Sequence, residues 1–377
     1  MVSGIIAEFN IFHNGHKYLV DKAREQSDAV VAVMSGPFVQ RGDAAITDKW
    51  SRARAALLSG VSLVLELPAC YALNAAPNFA AGGVNTLAAL GICDALIFGS
   101  ESGNIDELCS AARATETDNE QIKQYLSEGM SYPAALGRTY GEIFDKPNNI
   151  LAVEYLRAIS KYGARLKPLT VKRQGAEHDG EDITSGYASA SKIREMMISG
   201  EDISSLIPYL SKEIGSYPYL LSRLDTAVIS RLRTMTASEL CNISEVSEGL
   251  ENRIIKAAME TDSFEVLALS AKSKRYTMSK VRRILIAALI GFRKDIFSPM
   301  PEYVRVLGMD RTGAELLKKA KKNCSVPIIT KVADYREDSE MFKLDLRATD
   351  IASLCSPNEN ERKGGMDFTH SPVIIGG

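Results

Sequence analysis

Apolar residues in this chain gather in short unbroken runs. Gly4-Ile5-Ile6-Ala7, residues 29–34, residues 61–65 and residues 95–98 each read as a strand buried on both faces, which needs no alternation. Between them the spacing changes to that of helices. Residues 17–26 follow the first run. A helix capped by Thr47 runs to about Ser59, and an Ala-rich helix covers about 78–90. Residues 105–126 are helical and polar, and Asn148-Asn149-Ile150-Leu151 opens a helix with Val153, Leu156 and Ile159 on one face. Residues 166–172 form a fifth strand, and Ser189-Ala190-Ser191-Lys192-Ile193-Arg194 starts the next helix. This rhythm predicts a doubly wound, parallel α/β sheet over residues 1–200, with ligands bound beyond the carboxyl ends of its strands. The turn holding His13, the loop 35–43 and Gly99-Ser100-Glu101 are expected at that edge, and a glycine-rich polar loop, 173–180, follows the fifth strand.

Around 201–218 the pattern shifts, punctuated by Pro208 and Pro218. Helical segments follow at 219–235, 238–241, 250–260, 263–270 and 279–292, with a short β element at 326–330 and a loosely ordered tail from Ser356. Residues 201–377 are therefore expected to form a second, mainly α-helical domain. A length of 377 residues, with 45% hydrophobic and 24% charged, suits two globular domains. Six scattered cysteines with no CxxC pair predict reduced thiols. No run approaches the ~18 apolar residues of a membrane span, so a cytoplasmic protein without a membrane partner is expected.

The chemistry is expected at the first strand-to-helix turn. Only four histidines exist in the chain, and two of them, His13 and His16, sit there around Asn14-Gly15. Gly15 is expected to take a positive φ and admit a ligand, while the amides of the helix start face an anion. Both imidazoles are then placed to donate to phosphate oxygens.

His13-Asn14-Gly15-His16 resembles the HxGH signature of the nucleotidyltransferase superfamily, whose two histidines stabilise the α-phosphate of a nucleotide. The longer run Ala7-Glu8-Phe9-Asn10-Ile11-Phe12, with Gln40-Arg41-Gly42, is similar to the bacterial tRNA(Met) cytidine acetate ligase family. So are 249–254, 274–277, 305–308 and 327–331, and the likeness spans nearly the whole chain. That family usually has Pro where this chain has Ile11, which implies a less rigid turn. The resemblance implies a nucleotidyltransferase-like sheet and an ATP-dependent formation of N4-acetylcytidine at the wobble position of elongator tRNA(Met), through acetyl-adenylate. It implies His13 and His16 as catalytic residues. It implies ATP binding by Ala7 to Phe12, His13, Asn14, Gly15, His16, Lys17, Tyr18, Leu19 and Val20, and by Gly99, Asn149 and Arg173. Ser189 and Ser191 resemble the serine-rich helix start that holds the triphosphate. Mg²⁺ is expected to arrive with ATP, held by phosphates and water, with no dedicated protein metal site.

Net charge is −2, yet six cations and no acid stand between 272 and 283. Lys272, Lys274, Arg275, Lys280, Arg282 and Arg283, with Tyr276 among them to stack on a base, predict an RNA footprint. Lys318 to Lys322 form a second cluster that suits a solvated helix face equally well. DNA is not an expected partner. Two alternatives stay open: a small-molecule adenylyltransferase, which would not need the basic helical domain, and a non-catalytic RNA-binding protein, which would not need the two histidines.

Overall fold

The computed structural model describes residues 1–116, 120–174, 186–208, 218–247 and 249–376. The first apolar run forms β1 (Val2–Ala7) and passes through the histidine turn into α1 (Asn14–Arg24). The second forms β2 (Ala29–Ser35), and the expected loop after it contains a hairpin, β3 (Phe38–Val39) and β4 (Asp43–Ala44). There follow α2 (Lys49–Leu58), β5 (Leu63–Leu67), α3 (Ala69–Ala72), α4 (Ala76–Leu90) and β6 (Ala95–Ser100). The residue that caps α2 is Asp48, whose carboxylate accepts from the Ser51 amide at 2.9 Å, and not Thr47. The polar helix expected over 105–126 is two helices, α5 (Ile105–Glu116) and α6 (Glu120–Ser127). Then come α7 (Tyr132–Tyr140), α8 (Pro147–Tyr162), β7 (Lys167–Lys172) and α9 (Ala190–Ser199). Most of the polar loop expected after β7 lies outside the described residues.

β5, β2, β1, β6 and β7 lie side by side and all parallel. The order reverses at β1 and β6, so a crevice opens beyond their carboxyl ends. Val30, Val31, Ala32, Val33 and Met34 are fully buried, because helices cover both faces of the sheet. Arg52 of α2 reaches the same edge from below. It donates to the carbonyls of Glu8 (2.8 Å), Ser35 (2.9 Å) and Gly36 (2.5 Å), tying the ends of β1 and β2 together.

The second half begins as expected with helices: α10 (Asp225–Thr234), α11 (Ala237–Cys241), α12 (Leu250–Glu260), α13 (Phe264–Ala271) and α14 (Met278–Ile290). A division at residue 200 nevertheless fails to describe the sheet. β8 (Val304–Met309) pairs antiparallel with β5, α15 (Arg311–Asn323) follows, and β9 (Ile328–Ile329) pairs with β8. After α16 (Glu340–Ser353) and α17 (Met366–Thr369), β10 (Val373–Ile374) also joins β8. The tail is therefore held in place, and His370 stacks on Trp50 of α2 at 4.2 Å between ring centroids.

A buried ion cluster explains why the last seventy residues return. Lys49 of α2, 1% exposed, contacts Glu66 of β5 and Asp367 of α17, each at 2.8 Å. Arg305 of β8 contacts the same two carboxylates at 3.1 and 2.7 Å. Two cations thus face two anions in a dry interior, where each ion taken from water needs its partner. Asp345 of α16 lies beside them, and burial with the nearby Glu66 charge pushes its carboxyl up to about 7. Both its oxygens accept, from the Tyr303 hydroxyl (2.5 Å) and the Ala69 amide (2.7 Å).

Candidate active site

His13 is the N-cap of α1, in extended backbone, and its Nδ1 accepts the Gly15 amide at 3.0 Å. His16, one turn on, receives the His13 amide on Nδ1 at 3.4 Å. Both Nδ1 atoms are thereby acceptors, which fixes the tautomer with the proton on Nε2. The rings stack, with centroids 3.9 Å apart and planes at 29°. Burial, with the charges of Arg173 and Arg194, lowers the His13 pKa to about 3. Burial, with His13 and Arg173, also holds His16 well below the usual imidazole range. Two neutral N–H donors are the result.

Gly15 does not take the positive φ expected of it; it belongs to the first turn of α1. Its role is one of space, because a Cβ there would lie 2.8 Å from His13 Cε1. The left-handed residue is Phe9, with φ of 45°. Phe9, Ile11 and Phe12 are buried, and the Phe9 and Phe12 rings pack on His16 with centroids 5.0 and 5.5 Å away. The Asn10–Ile11 peptide is cis. Far from leaving the turn loose, Ile11 sits in an apolar cluster with Ile46, Ile193 and Leu206. Asn10 Oδ1 accepts from Ile46 N at 2.8 Å, and Arg194 donates to the Asn10 carbonyl at 2.6 Å. Asn14 Nδ2 donates to the carbonyls of Gly186 and Ser205, each at 2.9 Å.

A cavity of about 1000 Å³ opens here. From the first motif Ala7, Glu8, Asn10, His13, Gly15, His16, Tyr18 and Leu19 line it. Phe9, Ile11, Phe12, Asn14, Lys17 and Val20 support it without lining it. Lys17, for instance, pairs with Asp21. Gly99, at the end of β6, and Arg173, just after β7, also line it. Burial lowers the pKa of Arg173, against the charge of Glu101. Asn149 is 4% exposed and does not line the cavity. Its Oδ1 accepts the amides of Glu101 and Ser102 at 3.0 Å each, so it braces the loop after β6. Its neighbour Asn148 faces the cavity instead. Ser189 caps α9 by accepting from Lys192 N at 3.2 Å, and Ser191 accepts from Arg194 at 3.1 Å; both line the cavity.

The basic stretch is split by the structure. Arg275, Tyr276, Lys280 and Arg283 line the same cavity as the histidines. Tyr276 is not the open stacking platform expected, since its ring is buried and its hydroxyl donates to the Ser247 carbonyl at 3.3 Å. Lys280 lies over that ring, 5.2 Å from its centroid. Arg282 and Arg283 are engaged within the protein. Arg283 is bidentate to Glu245 (2.5 and 2.8 Å) and donates to the Gln40 carbonyl at 3.0 Å. Arg282 donates to the Gly42 carbonyl at 3.0 Å and pairs with Asp43 at 3.3 Å and with Glu265. Gly42 has φ of +76°, and a Cβ there would lie 2.5 Å from Arg283 N, so only glycine lets α14 press on the hairpin. Lys272 and Lys274 are exposed.

Several lining residues escape a reading of local patterns. Gln40 and Arg41 were legible only as a family mark, and nothing around Met130 or Tyr132 of the α6–α7 connection signals a cavity wall. Among the described residues, no group of three His, Cys, Asp or Glu could hold a metal ion, and no helix is long and apolar enough to cross a membrane.

Residues 1–367 match the family model for HIGH Nucleotidyl Transferase. The chain is 40% identical over 402 residues to the tRNA(Met) cytidine acetate ligase of Thermoanaerobacter sp. strain X514, covering 99% of both. It is 36% identical to the protein of that name from Oceanobacillus iheyensis, again over 99% of both chains. Among solved structures it resembles Thermotoga maritima TmcAL bound with alpha-thio ATP, with a TM-score of 0.89, 32% identity and 99% of each chain covered. The apo form of that protein gives a TM-score of 0.91, with the same identity and coverage.

Proposed function

The chain belongs to the HIGH nucleotidyl transferase family and, within it, to the tRNA(Met) cytidine acetate ligases, and we propose on that basis that it acetylates N4 of the wobble cytidine of elongator tRNA(Met) with acetate and ATP. The observation that carries this reading is one continuous cavity. Its lining holds the neutral histidine pair and Arg173 together with Arg275 and Lys280 of the basic stretch. A small-molecule adenylyltransferase would have no use for the basic residues, and a passive RNA binder none for the histidine pair.

Free acetate is a poor acyl donor because its leaving group would be oxide. In the first step an acetate oxygen attacks the α-phosphorus of ATP and pyrophosphate leaves. The charge growing on the α-phosphate would meet the neutral imidazoles of His13 and His16, held in place by the helix start before the reaction begins. Ser189, Ser191 and the amides of the α9 start suit the departing pyrophosphate. Arg173 supplies a cation near the two histidines. Magnesium bound with ATP would be held by the phosphates and water and would offset their charge. In the second step the cytidine amine attacks the acetyl carbonyl and AMP departs.

Incubation with ATP, isotopically labelled acetate and unmodified tRNA(Met), followed by nuclease digestion and mass spectrometry, tests the scheme. Label is expected in a single acetylated cytidine. Label absent from the tRNA, with AMP and pyrophosphate unformed, overturns it.

A further inference from the structure

The transfer step requires a base. The exocyclic amine of cytidine must lose a proton once its nitrogen bonds to the acetyl carbon. His13 and His16 are unsuited to accept it, because each Nδ1 already accepts a backbone amide and each Nε2 carries the proton it donates. Among the described residues that line the cavity there are two carboxylates, Glu8 and Glu245. Both oxygens of Glu245 are taken by Arg283, at 2.5 and 2.8 Å. Glu8 differs. It stands at the end of β1, beside the crevice where the strand order reverses, and is half-buried. Its Oε1 accepts the Gln40 amide at 2.8 Å, and its Oε2 has no hydrogen-bond partner among the described residues.

We propose that Glu8 is the general base of acetyl transfer, its Oε2 taking the proton from N4 of the cytidine. This rests on the ligase reading above. The N4 lone pair forms the new bond to the acetyl carbon, and the carbonyl π pair moves to oxygen. Collapse of that intermediate expels AMP with the electrons of the acyl–phosphate bond. The N4 proton passes to Glu8 and leaves to water with the products.

The surroundings make Glu8 a stronger base than an ordinary carboxylate. Loss of water around Glu8 raises its pKa, against the Gln40 amide and the guanidinium charges of Arg194, Arg41 and Arg52. Those cations come from α9, the hairpin and α2, and Tyr155 of α8 lies near enough for the Glu8 charge to raise its phenol. The hairpin that presents Gln40 to Glu8 is the one gripped by Arg282 and Arg283 of α14. Glu8 is therefore oriented from the side on which the basic stretch lies.

Two rates separate this role from a part in ATP binding. Acetate-dependent exchange of pyrophosphate into ATP reports adenylation, and single-turnover transfer from preformed acetyl-adenylate to tRNA reports the second step. A general base contributes roughly 10²–10⁴ in rate, so Glu8→Gln should slow transfer at least about 100-fold more than it slows exchange. The unaltered enzyme should show transfer rising with pH through the Glu8 ionisation. Glu8→Asp should keep that rise at a lower plateau, and Glu8→Gln should lose it. Equal losses in exchange and transfer would overturn the role and make Glu8 part of the ATP site, as would a Glu8→Gln profile that keeps the rise. Absence of acetate-dependent exchange in the unaltered enzyme would instead refute the ligase reading, and this assignment with it.

Discussion

Gly15→Ala separates catalytic geometry from stability. The new Cβ would stand 2.8 Å from Cε1 and 3.0 Å from Nδ1 of His13. Carbon atoms pack at about 3.5–4.0 Å, so the imidazole must retreat by roughly 0.7 Å or more. It has nowhere to go without loss, being stacked on His16 at 3.9 Å and hydrogen-bonded to the Gly15 amide. On the stability side, alanine improves a helix over glycine by up to about 1 kcal/mol. Losing one hydrogen bond costs about 0.5–1.5 kcal/mol. The two nearly cancel, and the urea midpoint should move little. The rate does not enjoy that cancellation, because displacing one donor from the developing charge costs about 10²–10³. The assay pairs urea unfolding with acetate-dependent pyrophosphate exchange. A variant that keeps exchange within about three-fold of wild type, our chosen margin, would refute the claim that glycine serves the His13 ring.

Lys49→Met should destabilise by about 3–5 kcal/mol, because Glu66 and Asp367 would share the single guanidinium of Arg305 in a dry interior; denaturant titration checks this. Replacing Lys274, Arg275 and Lys280 together by Ala should weaken tRNA binding and flatten its salt dependence. Three lost phosphate contacts reduce the slope of log K against log[salt] by roughly 2–2.7, and a wild-type slope would show that no phosphate is met there. The folded pKa of His13, about 3, lies below its ordinary value of 6.5. The unfolded chain therefore binds more protons between these values, so the His13 contribution is complete above about 6.5 and is lost as pH falls toward 3. His13→Asn should flatten that limb of the stability–pH curve, as measured by urea unfolding at a series of pH values.

Much of the first half was legible because its signals are local. Each parallel strand is a run of apolar residues closed by a turn, and the strand ends read from these runs lie within two residues of those observed. Errors arose where two local candidates compete or where a distant partner decides. Thr47 and Asp48 are both good caps, and only the backbone geometry selects the carboxylate. Gly15 invited a conformational explanation, whereas the demand on it comes from a ring two residues away. Tyr276 looked like a stacking residue because its flanks are charged, but the carbonyl that holds its hydroxyl is 29 residues distant. β8 was hidden by Arg305, a charge inside a strand buried in the sheet. That charge is tolerable only because Glu66 and Asp367 arrive from elsewhere in the chain. Asn149 was placed correctly on a helix start, yet which of two adjacent amides faces the cavity depends on the Glu101 loop.

The antiparallel return of β8 onto β5 makes the first half of this protein hostage to a segment translated much later. On the ribosome, residues 1–200 would emerge with β5 as a bare sheet edge, offering unpaired amides and carbonyls to any neighbouring strand. Lys49 and Glu66 would already be enclosed together, awaiting Arg305 and Asp367, which leave the tunnel more than a hundred residues later. A gene cut at the apparent domain boundary would thus yield not a small ATP-binding module but an incomplete sheet prone to association. Recombination between relatives is constrained in the same way: a crossover placed anywhere between Glu66 and Arg305 separates charges that must be inherited as a set.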